Sequence, residues 1–393
     1  MTYNFDRLID RKSTSDIKWR TQGLRAFLPV DVSEDFIPMW IADMDFACPP
    51  CIVDAVTARA GQEIYGYCAP RDGYVEALKW WYSSRFGLEL KKEWLSVLPT
   101  VVAAINMGIR AFTQPGDQVI IQQPVYDPFA SLVAKTGREL VNNALLFRDG
   151  DYYMDFDLLE KQAADPKAKV LILCSPHNPV GRVWTKEELA RLGEICKRHQ
   201  VLVISDEIHS DIVFSGHSHT PFPLASDAPC ILCTAPGKTF NVAGLRASNI
   251  FIFDPELKKQ YDTTCAAHSM PGSSTFGLAA VEAAYSPAGA EWLAQLLAYL
   301  EENARLVDRW AKEHHLGFTM PQGCFLCWLD LSPAGLTDQE IQTKIIVGQE
   351  VVCVPGPWFG PGGEGHLRLN IGCPVPSWRK PSGASRWCCN HCV

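Results

Sequence analysis

Short apolar runs rich in β-branched residues recur through the middle of the chain: Val119-Ile120-Ile121, Val170-Leu171-Ile172-Leu173, Val201-Leu202-Val203-Ile204, Ile231-Leu232-Cys233 and Ile250-Phe251-Ile252. Apolar residues fill consecutive positions rather than alternate ones, as in strands buried on both faces of a mostly parallel sheet. Amphipathic stretches separate them. Thr185-Lys186-Glu187-Glu188 has the form of a capping box, and Leu189, Leu192 and Ile195 follow at helical spacing. This alternation predicts an α/β fold, with helices covering a central sheet and functional residues at the carboxyl ends of its strands.

The pattern changes near residue 286. A long amphipathic helix is predicted over 291–312, then a strand over 323–330, a second helix and a strand over 366–371. We read residues 1–50 as an N-terminal segment packing with the small domain, 51–285 as a large domain, 286–376 as a small α+β domain, and 377–393 as an atypical tail. A chain of 393 residues is long for one core, so two domains are expected.

Composition narrows the function. With 47% hydrophobic and 20% charged residues the chain is of globular type, and its net charge of -8 with no concentrated basic patch argues against nucleic acid as a partner. No run of eighteen apolar residues is present, and the first residues lack the apolar stretch of a signal peptide, so neither a membrane span nor export is expected and a cytoplasmic location is. Fifteen cysteines include four pairs with CxxC spacing, at Cys48/Cys51, Cys230/Cys233, Cys324/Cys327 and Cys389/Cys392. The first pair is read as a loop before a helix. The next two lie in strand-like runs, where residues three apart face opposite ways and cannot share a metal. Buried free thiols acting as small hydrophobes are expected, and no metal site. In the tail, Cys388 and Cys389 are adjacent, and His391 alone could add a local fourth ligand to the cysteines, so a metal-binding tail is disfavoured.

The chemistry gathers at strand ends. Asp206 closes an apolar strand, and a buried carboxylate there needs a cationic partner. About thirty residues on, Lys238 follows the strand-like run at Ile231 after a small-residue turn. The runs Ile41-Ala42-Asp43-Met44-Asp45-Phe46, Tyr65-Gly66-Tyr67, Ser175-Pro176-His177-Asn178-Pro179, Asp206-Glu207-Ile208-His209-Ser210-Asp211, Gly237-Lys238-Thr239-Phe240-Asn241 and Arg368-Leu369-Asn370-Ile371-Gly372 occur in that order. Together they resemble the fold-type I pyridoxal phosphate (PLP) transferases of the aminotransferase superfamily. The likeness is greatest to the cystathionine β-lyase (C–S lyase) group typified by the MalY and PatB proteins, and it runs from Phe5 to about Pro376.

The resemblance implies roles residue by residue. Lys238 would carry the cofactor and take the substrate Cα proton; Asp206 would pair with the pyridinium nitrogen; Asn178 would bond the phenolic oxygen. Tyr126 would stack on the ring, and His209 would stand where many aminotransferases have a tyrosine. Val101 and Val102, opening a helix after Thr100, would offer N–H groups to the phosphate, with Arg246 adding a cation. Arg368 would grip the substrate carboxylate, and Tyr67 would reach the neighbouring subunit's phosphate, implying a homodimer. Two positions depart from the family: Thr100 replaces a usual glycine, and Gly237 a usual serine. The activity implied is cleavage of cystathionine or a related cysteine S-conjugate to a thiol, pyruvate and ammonia. An aminotransferase is the alternative, since it uses nearly the same residues, and a PLP-fold regulatory protein is a third possibility.

Overall fold

The computed structural model describes residues 2–28 and 30–378; the cysteines expected in the tail, Cys388, Cys389 and Cys392, and His391 lie outside them. Seven strands form the main sheet: β1 (Leu95–Leu98), β2 (Gln118–Ile121), β3 (Glu139–Asn142), β4 (Ala168–Cys174), β5 (Leu202–Asp206), β6 (Cys230–Thr234) and β7 (Ser248–Ile252). Their spatial order is β1-β7-β6-β5-β4-β2-β3. All neighbours are parallel except β7, which runs antiparallel to both β1 and β6. The consecutive apolar residues have the predicted cause. Val170, Ile172 and Cys174 enter one core, while Leu171 and Leu173 enter the other on the opposite face.

Two helices set the site's position. The helix α1 (Val101–Phe112) lies against the sheet so closely that a Cβ on Gly108 would come within 2.7 Å of Ile204 Cδ1, so this position admits only glycine without a shift. The helix α2 (Lys186–Arg198) begins with the predicted capping box, Thr185 and Glu188 bonding each other's backbone.

The second sheet consists of β8 (Gly317–Phe318), β9 (Leu326–Asp330), β10 (Val354–Pro355) and β11 (His366–Asn370), in the antiparallel order β8-β9-β11-β10. Ile37 and Pro38 pair in parallel with Val351 and Val352, tying the N-terminal segment to the C-terminal third.

Three boundaries differ from expectation. The long helix spans Pro287–Glu313 and starts four residues early, because Ser286 caps it and Pro287 suits its first turn. The helix Pro50–Ala60 likewise starts at a proline and takes in Cys51, so the Cys48/Cys51 pair is not wholly in a loop. The strand predicted from residue 323 starts at Leu326, since Cys324 has φ +72° and breaks the extended backbone. Among the described residues every cysteine is free and no group of three or more His, Cys, Asp or Glu could hold a metal. No described helix is long and apolar enough to cross a membrane.

Candidate active site

A pocket opens at the carboxyl ends of β4, β5 and β6. Its walls include Val101, Val102, Tyr126, Asn178, Asp206, His209 and Lys238, so seven of the ten residues singled out in the sequence share one cavity. Lys238 lies on a short helical turn, Pro236–Thr239, just after β6, and its Nζ donates to the Ala42 carbonyl at 2.5 Å. Burial pushes its amine below the ordinary lysine value; the nearby positive charge of Arg368 acts the same way and Asp43 opposes it. A lysine so placed is nearer neutrality, which is what a proton acceptor requires.

Asp206 ends β5 with its carboxyl buried. One oxygen accepts from the Ile208 N–H at 3.2 Å. Burial pushes its pKa up to about 7, against the lowering effects of that N–H and of Lys238. A buried acid with so little compensation suits a ligand that brings a cationic N–H. Tyr126 packs edge-on to Phe129 at 5.6 Å, leaving its ring on the pocket wall; burial raises its phenol to about 12.

Asn178 is buried, and its Oδ1 faces Arg368 Nη1 at 3.5 Å. With the oxygen so engaged, the amide's N–H groups are its remaining hydrogen-bonding capacity. Arg368 is buried between β9 and β10, donates to the Trp40 carbonyl, and stacks its guanidinium over Phe359 at 5.1 Å. Among the described residues its buried Nε has no hydrogen-bond partner, and burial lowers its pKa to about 10. Such a guanidinium is matched to a carboxylate from a ligand.

The helix start also fits an anion. Thr100 is the N-cap of α1, its hydroxyl oxygen accepting from Ala103 N at 3.1 Å. The N–H groups of Val101 and Val102 belong to the first turn and have no intrahelical acceptor. Thr100 adopts φ -151°, which any residue tolerates, so threonine in place of the family's glycine carries no backbone penalty and adds a cap. At Gly237 the usual serine would set its Cβ 3.3 Å from Ala243 Cα, a tight contact.

Two predicted residues lie elsewhere. Arg246 is exposed at the end of a 3-10 turn and does not line the pocket, although Val242, Ala243 and Ala247 near it do. Tyr67 is fully exposed in a segment that also exposes Ile64 and Tyr65.

The structure adds residues for which the sequence supplied no role. Asp211 accepts from Trp81 Nε1 at 2.9 Å, Arg85 Nε at 3.0 Å and Thr239 Oγ1 at 3.0 Å, anchoring the residue beside Lys238. Asp43 and Asp45 bind Arg11 and the fully buried Lys18, Asp45 at 2.5 and 2.7 Å. Asn370 Nδ2 bonds the Ile41 and Asp43 carbonyls at 2.5 and 2.6 Å, and Asn241 holds Met44 and Phe46. Two of the quoted motifs, through Asn241 and Asn370, together with Arg11 and Lys18, thus hold the segment whose Ala42 carbonyl meets Lys238. Asn241 and Asn370 lay in the quoted runs, whereas Arg11 and Lys18 did not, and only the fold brings them together.

The model of the family described as aminotransferase class I and II matches residues 34–377. The chain belongs to that family. It is 41% identical over 375 residues to cystathionine β-lyase PatB of Bacillus subtilis, covering 94% of this chain and 95% of that one. Among solved structures it resembles a PLP-bound putative aminotransferase from Clostridium difficile, with a TM-score of 0.90, 39% identity and coverage of 96% and 97%. Cystalysin from Treponema denticola, which contains a PLP cofactor, also gives a TM-score of 0.90, with 33% identity and 96% of each chain covered. These likenesses agree with the fold-type I architecture seen here.

Proposed function

We propose that this protein is a PLP-dependent carbon–sulfur β-lyase that converts a cysteine S-conjugate such as cystathionine to a thiol, pyruvate and ammonia. The observation that carries this reading is the single pocket holding a lysine of lowered pKa, an under-compensated buried acid and a helix start, bordered by a buried arginine with an unpaired Nε. That set matches the aldehyde, pyridine and phosphate of the cofactor and the carboxylate of an amino acid. The likeness to PatB favours elimination over transamination.

Bound there, PLP supplies an aldehyde for the substrate amine and a ring that accepts the electron pair left at Cα. Lys238 would hold the cofactor's aldehyde and accept the Cα proton. Asp206 would keep the ring nitrogen protonated, Asn178 N–H groups would bond the phenolic oxygen, and Tyr126 would cover a ring face. Val101, Val102 and the Thr100 hydroxyl would receive the phosphate. Arg368 holds the substrate carboxylate. With the thiolate leaving from Cβ, the net change is RS–CH2–CH(NH3+)–COO− plus water to RSH, pyruvate and ammonium.

The same reading takes residues 51–285 and 286–376 as large and small domains, with 1–50 packing on the latter; the two sheets and the pairing of Ile37–Pro38 with Val351–Val352 support this division. The exposure of Tyr67 supports a homodimer in which that tyrosine completes the neighbouring subunit's phosphate site. Dilution is then expected to lower specific activity as the dimer dissociates. A monomer with full activity in sedimentation would remove Tyr67 from the site.

The test of the reaction uses cystathionine without a keto-acid acceptor. Elimination leaves the enzyme ready for another cycle, so pyruvate is expected to accumulate over many turnovers. Transamination would stop after one equivalent and resume on adding a keto acid, and that result would replace the lyase by an aminotransferase.

A further inference from the structure

His209 and Cys324 are 115 positions apart in sequence, yet Cys324 Sγ lies 3.2 Å from His209 Nδ1. Both side chains are buried, and His209 lines the pocket. The approach is fixed from both sides. The Cys324 N–H donates to the Ile212 carbonyl at 2.8 Å, Ile212 N–H donates to the His209 carbonyl at 2.9 Å, and Val213 forms a β-bridge with Gly323. The imidazole and Phe325 rings form a T-shaped pair with centroids 5.6 Å apart.

Cys324 also has φ +72°, in the left-handed region that a side-chain-bearing residue enters at a cost. A cysteine at a position whose backbone suits glycine calls for a use of its side chain, and the contact with His209 is that use. We propose that the Cys324 thiol fixes the neutral tautomer of His209, donating S–H to Nδ1 so that Nε2–H is turned into the pocket.

The direction of the bond follows from the two groups. A thiol is a weak donor and a poorer acceptor, whereas an unprotonated imidazole nitrogen accepts well. Burial keeps the thiol protonated, pushing its pKa up to about 12. Burial, joined by the charges of Lys238 and Arg368, holds the imidazole neutral by lowering its pKa well below the ordinary value. Nε2–H then adds a donor for a ligand oxygen without adding a third buried cation. Cys324 is a positioning residue, acting through the histidine, and this role rests on the proposed PLP site.

The test is nitrogen NMR of the holoenzyme made with 15N-histidine, the His209 signals being assigned by their loss in His209→Gln. Nε2 is expected to carry the proton and Nδ1 to be bare. Cys324→Ser retains a donor and should keep both the tautomer and kcat. Cys324→Ala should give mixed tautomers and a kcat lower by about tenfold, the size of one hydrogen bond, with KM changed less than about twofold. A protonated Nδ1 in the parent enzyme overturns the proposal even if the alanine variant does not fold. So do serine and alanine variants with the same spectrum and kcat. The tautomer is read whichever product forms, so failure of the lyase assignment would appear separately, as the absence of pyruvate.

Discussion

Replacing Lys238 with alanine is expected to abolish turnover while the fold persists. In the proposed site the residue supplies both the attachment point for the cofactor and the base at Cα, and among the described residues no other lysine lines the pocket. Loss of a positioned base alone costs up to about 10⁴-fold, and loss of the nucleophile is added to it. The structural cost is small, because Lys238 makes one hydrogen bond, to Ala42, while its buried charge is itself unfavourable. Borohydride treatment of the parent holoenzyme should attach the cofactor irreversibly to the peptide containing Lys238. Mapping it to any other lysine, or finding Lys238→Ala active, would sink the site assignment.

Asp206→Asn should separate two effects of one carboxylate. In the holoenzyme an amide cannot hold the ring nitrogen protonated, and kcat is expected to fall on the order of 100- to 1000-fold, as for loss of other preorganised electrostatic contacts, with a much smaller change in KM. In the cofactor-free protein the sign reverses. The folded Asp206 pKa is raised to about 7, above the ordinary value of about 3.9 for an unfolded chain. Its contribution to stability is therefore full below about pH 4 and is lost as pH rises through about 7. The asparagine variant escapes that loss. Its apo form should match the parent near pH 4 and exceed it near pH 8, by about 4 kcal/mol. Denaturant melts of both apo proteins at the two pH values check this; a parent that is the more stable at pH 8 would show that Asp206 has a cationic partner within the protein.

Much of the site was legible because its parts lie next to strong local signals. Asp206 and Lys238 each follow an apolar strand, and strands with both faces buried announce themselves by consecutive β-branched residues. Val101 and Val102 follow a capping threonine. Their convergence follows once the strands are parallel, since parallel strands bring their carboxyl ends to one edge. Arg246 and Tyr67 were less legible: both are exposed in the single chain, and neither lines the pocket.

The strand periods, the helix caps and the order of the motifs were written in the sequence, and they determined an α/β fold with an amine and an acid at one edge of its sheet. Tertiary structure alone decided that Asn178 faces Arg368 across 190 positions, that Arg11 and Lys18 neutralise Asp43 and Asp45, and that Cys324 meets His209. The physical reason is range. Periodicity and capping come from interactions within a few residues, whereas these contacts depend on strand order, chain reversal and a left-handed backbone turn, which are set by the packing of the whole chain.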